Sequence, residues 1–407
     1  MPDMVPRPAT EAKDARQLGG KALADAMRDS RRRTLSLVDD LSDAQWQLPR
    51  QNGINPIAWE LAHLAWFGEF WILRGPHHLG EDGLVRAALP AAIAGPDALF
   101  DSARLAHALR WKAQLPSRRE VADMLAAQLE ACVQAMPGGD SDDALYFHRL
   151  ALFHEDMHGE ALVWMRSALS YPAPPDTLLA PVPHGSPLRA SGGSVRIGWP
   201  ACRRGFAFDN EGPSRIEQLE PFDIDARPVT AGEFQSFVEA GGYDEPAYWP
   251  GMAGSWRSTA AREHPERWRR HETVAGAQWQ VRWFDRWLPL DPALPVIHVN
   301  AFEAEAYCAW AGRRLPRAAE WEHAAAALVA LHWGGSVWEW TSDSFQPYPG
   351  FKAGPYRDYS QPWFGDHREL RGGAFATHAR MHDLRYRNFF MPQRADVFAG
   401  FRTASKG

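Results

Sequence analysis

A proline-, glycine- and serine-rich stretch, YPAPPDTLLAPVPHGSPLRASGGS at residues 171–194, does most to limit what this chain can fold into. Such a segment can neither continue a helix nor occupy the middle of a sheet, so it reads as a linker. The residues on its two sides follow different periods. Before it, apolar residues recur at helical spacing, which predicts helices over 17–39, 55–73, 119–135 and 141–169. Asn55 reads as the N-cap of the second helix with Pro56 at its first position, and Gly75-Pro76 and Pro137-Gly138-Gly139 end the second and third. Four helices with one long connection, roughly 76–117, describe a four-helix bundle. After the linker, short aromatic runs such as VRIGWP, WFDRWLPL and VWEWTSDSF are broken by turn residues, and only 230–239 and 301–311 read as helices. The expected organisation is a bundle over 17–170, a linker over 171–194 and an α+β domain with much irregular structure over 195–407.

The 407 residues exceed one ordinary core, in keeping with two domains. Lys plus Arg is 44 and Asp plus Glu is 50, a net charge of −6 that lends no support to a nucleic-acid partner. No run of apolar residues is long enough for a membrane span. The start, MPDMVPRPATEAKDARQLGG, has no apolar core of a signal peptide, and its first ~15 residues are expected to fray. Cys132, Cys202 and Cys308 are odd in number and widely spaced, so neither a disulfide framework nor a CxxC zinc site is readable. A reducing cytoplasm is the expected compartment, and a monomer or weak oligomer the expected state.

His154 and His158, in LALFHEDMHGEALVWM, lie four apart on a helix and so share a face. Spacing alone does not decide their role, because His378 and His382 repeat it in a region that reads as strand and loop. Context favours the first pair, set in a long amphipathic helix beside Leu150, Leu152, Phe153 and Leu162. His63 lies within WELAHLAWFGEFW, where little else could satisfy a buried imidazole. Inward histidines from two bundle helices can build a metal site, although a satisfied core histidine and a solvated pair read equally well from the residues alone. Three imidazoles without a thiolate suit zinc, iron, copper or nickel, and leave positions open for small molecules. Glu155 and Glu160 either orient those ligands or face solvent.

The second half resembles the formylglycine-generating-enzyme, or sulfatase-modifying, fold through RPVTAGEF (227–234), PVIHVNAFEAEAYCAWAGRRLPRAAEWE (295–322), GGSVWEWTSDSF (334–345), LRGGAFA (370–376) and FAGFR (398–402). The copper-binding cysteine pair of true formylglycine-generating enzymes is not evident near the C-terminus, so that activity is not implied. The first half resembles a DinB-type bundle through NPIAWELAHLAWFGEFWILR (55–74) and FHEDMHGE (153–160). The combination is similar to the ergothioneine-biosynthesis sulfoxide synthases, and within them to the selenium-using selenoneine synthases. The resemblance implies non-heme Fe(II) on His63, His154 and His158. It also implies a reaction in which O2 and a sulfur or selenium donor meet hercynine, the N-trimethylated histidine, at its imidazole carbon.

Residue roles follow from the same resemblance. GPYRDYS (354–360) matches the family's tyrosine loop, making Tyr356 the expected proton or hydrogen-bond donor and Tyr359 its neighbour in the hercynine pocket. YRNFFMPQR (386–394) matches the pocket strand, where Asn388 is expected to bond hercynine and Arg387 to take a carboxylate or serve structure. Phe389, Phe390, Trp338 and Trp363 are available to a trimethylammonium group. Members using γ-glutamylcysteine carry an acidic residue where Phe390 stands here, and many have Gln where Met157 stands. Both departures point to cysteine or a selenosugar as donor. Arg118, in LPSRREV, aligns loosely with a donor-binding arginine. Two other classes remain open to the sequence: a DinB-like zinc or nickel thiol transferase, and a metal-free binding module built on the lectin-like second fold.

Overall fold

The computed structural model describes residues 15–274 and 276–405; the expected fraying falls almost wholly outside them. Four long helices make up the first half: α1 (Gly20–Ser36), α2 (Ile57–Gly68), α3 (Arg118–Gln134) and α4 (Asp142–Ala168). The caps explain where they start. Ser117 and Glu120 bond reciprocally to each other's backbone amides at the head of α3, and the Ser141 hydroxyl accepts from the Ala144 amide at the head of α4. Helix α1 packs on α4, and α2 packs on both α3 and α4. All twelve residues of α2 are buried, as expected of a helix that is apolar all round.

One capping expectation fails. Pro56, not Asn55, occupies the N-cap of α2, and the Asn55 amide donates to Glu60 Oε2 at 2.7 Å. A buried carboxylate without a donor is costly, and that need claims the side chain. The connection at 76–117 has structure of its own. A hairpin of β1 (His77–Leu79) and β2 (Val85–Ala87) is followed by short helical turns at Asp97–Phe100 and His107–Leu109. It is bonded down onto α2, with Trp59 Nε1 donating to the Leu99 carbonyl and Trp66 Nε1 to Asp97.

The second half holds β3 (Leu188–Ala190), β4 (Gly193–Ile197), β5 (Arg215–Leu219), β6 (Phe222–Ile224), α5 (Ala231–Glu239), α6 (Met252–Ala260), β7 (Trp268–Thr273), β8 (Gly276–Trp283), β9 (Arg286–Pro289), α7 (Ala301–Trp310), α8 (Ala318–Ala327), β10 (Trp338–Ser344), β11 (Arg368–Arg371), β12 (Asn388–Phe390) and β13 (Ala399–Gly400). Its largest sheet runs β12-β11-β10-β13, antiparallel except for β10 with β13. The core contains ion pairs as well as Trp321, Trp338 and Trp340: Arg371 and Arg387 share Glu369, and Arg402 pairs with Glu339. Removing one member of such a pair would strand a buried charge. Among the described residues no helix is long and apolar enough to cross a membrane.

The halves meet along α4. Glu160 accepts from Trp338 Nε1 and from the Thr377 hydroxyl, Arg380 pairs with Asp156, and Arg267 donates to the Ser167 hydroxyl.

Glu303, at the start of α7, is fully buried, with its carboxylate bonded to the Tyr243 hydroxyl at 2.6 Å and the Asn300 amide at 2.8 Å. Burial dominates over these donors and pushes the carboxyl up to about 7 from an ordinary 4.5. Between those values the folded protein holds a proton that the unfolded chain has released, so stability falls as pH rises through that window and levels off above it. The span corresponds to about 3 kcal/mol. Glu303→Gln, which mimics the protonated form, is expected to flatten urea-unfolding stability between pH 5 and pH 8. An unchanged slope would show that another group carries it.

Candidate metal centre

Helix α2 carries His63, and one turn of α4 carries His154 and His158, the two helices being in contact. One ligand atom from each histidine lies within 4.8 Å of the others, and among the described residues this is the single cluster of its kind. The remaining ring nitrogens fix how the rings point. His63 Nδ1 lies 2.7 Å from the Phe100 carbonyl, which can only accept, so Nδ1 carries the proton and the Nε2 lone pair is free. His158 Nδ1 lies 2.6 Å from Glu60 Oε1 and by the same logic frees Nε2. His158 Nε2 and His154 Nε2 are 3.2 Å apart. Two ligands at right angles on an ion with ordinary metal–nitrogen bonds would sit ~3 Å apart, so the spacing fits a shared cation.

The rings are held by aromatic walls. His63 stacks between Trp59 and Trp66, and His154 lies flat on Phe67 with centroids 3.5 Å apart. Burial, helped by the neighbouring imidazoles, lowers His63 to about 3 and His154 well below its ordinary value. Both are therefore neutral at pH 7, the form that binds metal. Burial alone would raise Glu60, but the His158 ring and the Asn55 amide outweigh it and hold the carboxyl at about 2. Arg110 continues the chain: its Nη1 donates to Asn55 Oδ1 at 2.6 Å, and its guanidinium lies 3.8 Å over Trp59.

Glu60 is the orienting carboxylate that sequence reading missed. Its only signal was its place one turn before His63 on the same helix. The two glutamates considered for that role are engaged elsewhere, yet not in solvent: Glu155 pairs with Arg31 at 2.7 Å, and Glu160 ties the two halves together. His378 is bonded to Arg380, and neither it nor His382 joins a metal-ligating cluster.

Tyr356 approaches this cluster from the second half. Its ring stands edge-on to Phe67 at 5.0 Å and 5.9 Å from the His154 ring. Its hydroxyl is bonded to Ser102, with Asp358 and Asp101 nearby; burial and then these carboxylates raise its pKa, so the phenol stays protonated at neutral pH. Tyr359 stacks on Phe208 at 4.4 Å and shares a hydrogen bond with Tyr386. Tyr356 and Tyr359 line a cavity of about 610 Å3 together with Ser102 and Arg110 from the first half and Trp363, Phe389, Phe390 and Arg394 from the second. A second cavity of about 580 Å3, under residues 173–179, is mainly apolar and holds no metal-ligating cluster.

Five residues expected at the substrate site lie apart from this cavity's lining, and the three histidines are not among the lining residues either. Arg387 is buried, donating to Glu369 and to the Asn210 and Gln346 carbonyls, and takes the core one of the two places expected of it. Arg118 donates to the Leu41, Val38 and Asp39 carbonyls and lies over Trp46, apart from the cavity's lining. Asn388 turns its Oδ1 back to the Phe389 amide, and Met157 packs against the core. Trp338 is wholly buried and serves Glu160, whereas Trp363 is exposed at the cavity.

Residues 180–333 and 328–406 match the sulfatase-modifying factor enzyme 1-like domain family, and residues 26–162 match the DinB superfamily. A DinB-like bundle joined to that second fold defines the class. Hercynine oxygenase of Mycobacterium tuberculosis is 32% identical, the alignment covering 92% of this chain and 96% of that protein. Hercynine oxygenase of Mycolicibacterium smegmatis is 30% identical, with 94% and 98% covered. The chain belongs to the hercynine oxygenase family, and is an enzyme of the oxidoreductase type. Among solved structures, PvdO from Pseudomonas aeruginosa aligns with 54% of this chain and 94% of its own, at 18% identity and a TM-score of 0.36.

Proposed function

We propose that this chain is an iron-dependent oxygenase that joins a selenium or sulfur donor to the imidazole carbon of hercynine, with a selenosugar as the donor. The single observation that carries the reading is the convergence of His63, His154 and His158 beside a protonated tyrosine at the seam of the two halves. Three imidazoles that each turn one ring nitrogen to a common point are a donor set that Fe(II) accepts with positions to spare. When bound there, iron would supply the means to activate O2 and to hold the chalcogen donor as its anion. The overall balance is donor–H plus hercynine plus O2 giving the hercynyl selenoxide or sulfoxide plus water.

The protein's own groups then have distinct tasks. Glu60 and the Phe100 carbonyl keep two of the three imidazoles in the ligating tautomer. Tyr356 Oη holds the proton that the departing oxygen needs. Tyr359, Trp363 and the Asp358 carboxylate offer the trimethylammonium group aromatic faces and a counter-charge. For the donor, Phe389 and Phe390 present apolar rings to the cavity, and Arg394 stacks over Phe390. Aromatic faces suit a sugar ring, and Phe390 offers no carboxylate to the ammonium group of γ-glutamylcysteine. The supporting sequence features are Phe390, where the resemblance implies an acidic residue in users of γ-glutamylcysteine, and Met157, where it implies Gln in many synthases; both leave cysteine or a selenosugar.

The test is direct. Fe(II)-loaded protein is given hercynine and O2 with selenosugar, cysteine or γ-glutamylcysteine separately, and the products are weighed by mass spectrometry. The selenosugar adduct is expected to form fastest. A product from γ-glutamylcysteine alone would overturn the donor assignment, and no oxygenated product from any donor would overturn the function.

A further inference from the structure

Just before α1, residues Ala15–Gln17 form a short turn that leaves the bundle and docks on the second half. The turn is pinned from both sides. Arg149 of α4 donates to the Gln17 and Leu18 carbonyls, and the Phe206 amide donates to the Arg16 carbonyl at 2.8 Å. Gly205 makes that contact with φ +105°, and a side chain there would come within 2.7 Å of the Arg16 carbonyl. The Arg16 side chain is 1% exposed. Its guanidinium grips both oxygens of Glu211, at 2.8 and 3.1 Å. Around it stand Phe153, one residue before His154, and Trp199, Phe206, Phe208 and Tyr386, all with centroids 5.0–5.9 Å away.

If the task were only to fill space, an apolar side chain would do so without the cost of burying a charge. What the guanidinium adds is direction. Glu211, gripped by Arg16, accepts from the Phe208 amide at 3.0 Å. Phe208 in turn stacks on Tyr359 at 4.4 Å and on Tyr386 at 5.5 Å, and those two tyrosines are bonded to each other. Tyr359 lines the cavity beside Tyr356. We propose that Arg16 is a positioning residue whose caged guanidinium holds the Phe208–Tyr359–Tyr386 wall of the substrate cavity in register. The N-terminal arm thereby completes a site that neither the bundle nor the second half completes without it. The identity of the ligand affected, hercynine, rests on the function proposed above.

The full chain, labelled with 3-fluorotyrosine, is compared with its Arg16→Ala variant by fluorine NMR, with Tyr359 and Tyr386 assigned through their Tyr→Phe variants. Both resonances are expected to shift and broaden in the variant and to return on adding millimolar guanidinium, which fits the vacated cage; potassium chloride at equal ionic strength should not restore them. Metal content is expected to stay at the wild-type level while hercynine affinity, by calorimetry, falls about tenfold or more and recovers with guanidinium. Arg16→Lys keeps the charge but not the two-pronged grip and is expected to give an intermediate spectrum, which also decides the matter should the alanine variant fail to fold. Unchanged tyrosine resonances, or a change that guanidinium does not reverse, would overturn the proposal. Wild-type protein that binds no hercynine would defeat the proposed function instead, and the fluorine spectra would still judge Arg16.

Discussion

Replacing His154 with alanine is expected to abolish iron binding and reduce oxygen consumption with hercynine to background, and His63→Ala and His158→Ala are expected to do the same. Loss of a partner that merely orients a ligand costs on the order of 10–100-fold in metal affinity; loss of one of three ligands should exceed that. The arrangement leaves no substitute nearby. His63 and His158 have their second nitrogens committed to Phe100 and Glu60, and Phe67 covers one face of the His154 ring. Metal analysis after anaerobic reconstitution measures the first effect. Thermal unfolding with and without added Fe(II) measures a second, since an ion that binds only the folded chain raises its melting temperature, and that rise should vanish in each variant. A variant that keeps one iron per chain would refute the site.

Tyr356→Phe is expected to leave iron content intact and lower turnover by ~10²-fold or more, the range of a positioned proton donor. The substitution is clean because the ring keeps its edge-on contact with Phe67 and its tilted contact with Trp71, and only the bond to Ser102 is lost. The raised pKa adds a condition on pH. A phenol pushed upward by burial and by Asp358 and Asp101 remains protonated throughout pH 6–9, so no loss of wild-type rate across that range should trace to its ionisation. Stopped-flow oxygen consumption under saturating substrates checks both statements. Wild-type turnover in the phenylalanine variant would remove Tyr356 from the chemistry.

Much of the first half could be read from the sequence because its signals are local. The helical spacing of apolar residues over 119–135 and 141–169, and the apolar run around His63, place three helices to within a few residues. The second half was harder. Helix α8 is an alanine-rich run without a clear face, and β7–β9 is a sheet whose pairing only the folded chain reveals. The site shows the same divide. The three histidines could be singled out because the resemblance carried by NPIAWELAHLAWFGEFWILR and FHEDMHGE broke a tie that spacing and context had left open. The arginines could not: Arg118 and Arg387 matched the expected pattern yet serve carbonyls and buried carboxylates, while Arg110 and Arg16 take the strategic places. A guanidinium can bond to almost any acceptor, so its partner is decided by tertiary structure. Glu60 and Asn55 went unrecognised for a related reason, since each looked like an ordinary residue of a helix start.

The hydrogen bonds that Trp338 and Thr377 give to Glu160 fall two residues beyond His158 on the same helix. Modular exchange between relatives is therefore constrained. A chimera that pairs this bundle with another enzyme's second domain inherits a foreign clasp immediately beside His158, and the register of α4 becomes hostage to the graft. Retargeting the enzyme to new chalcogen donors should succeed by redesign within the lining of the cavity, with the seam left as a single inherited unit.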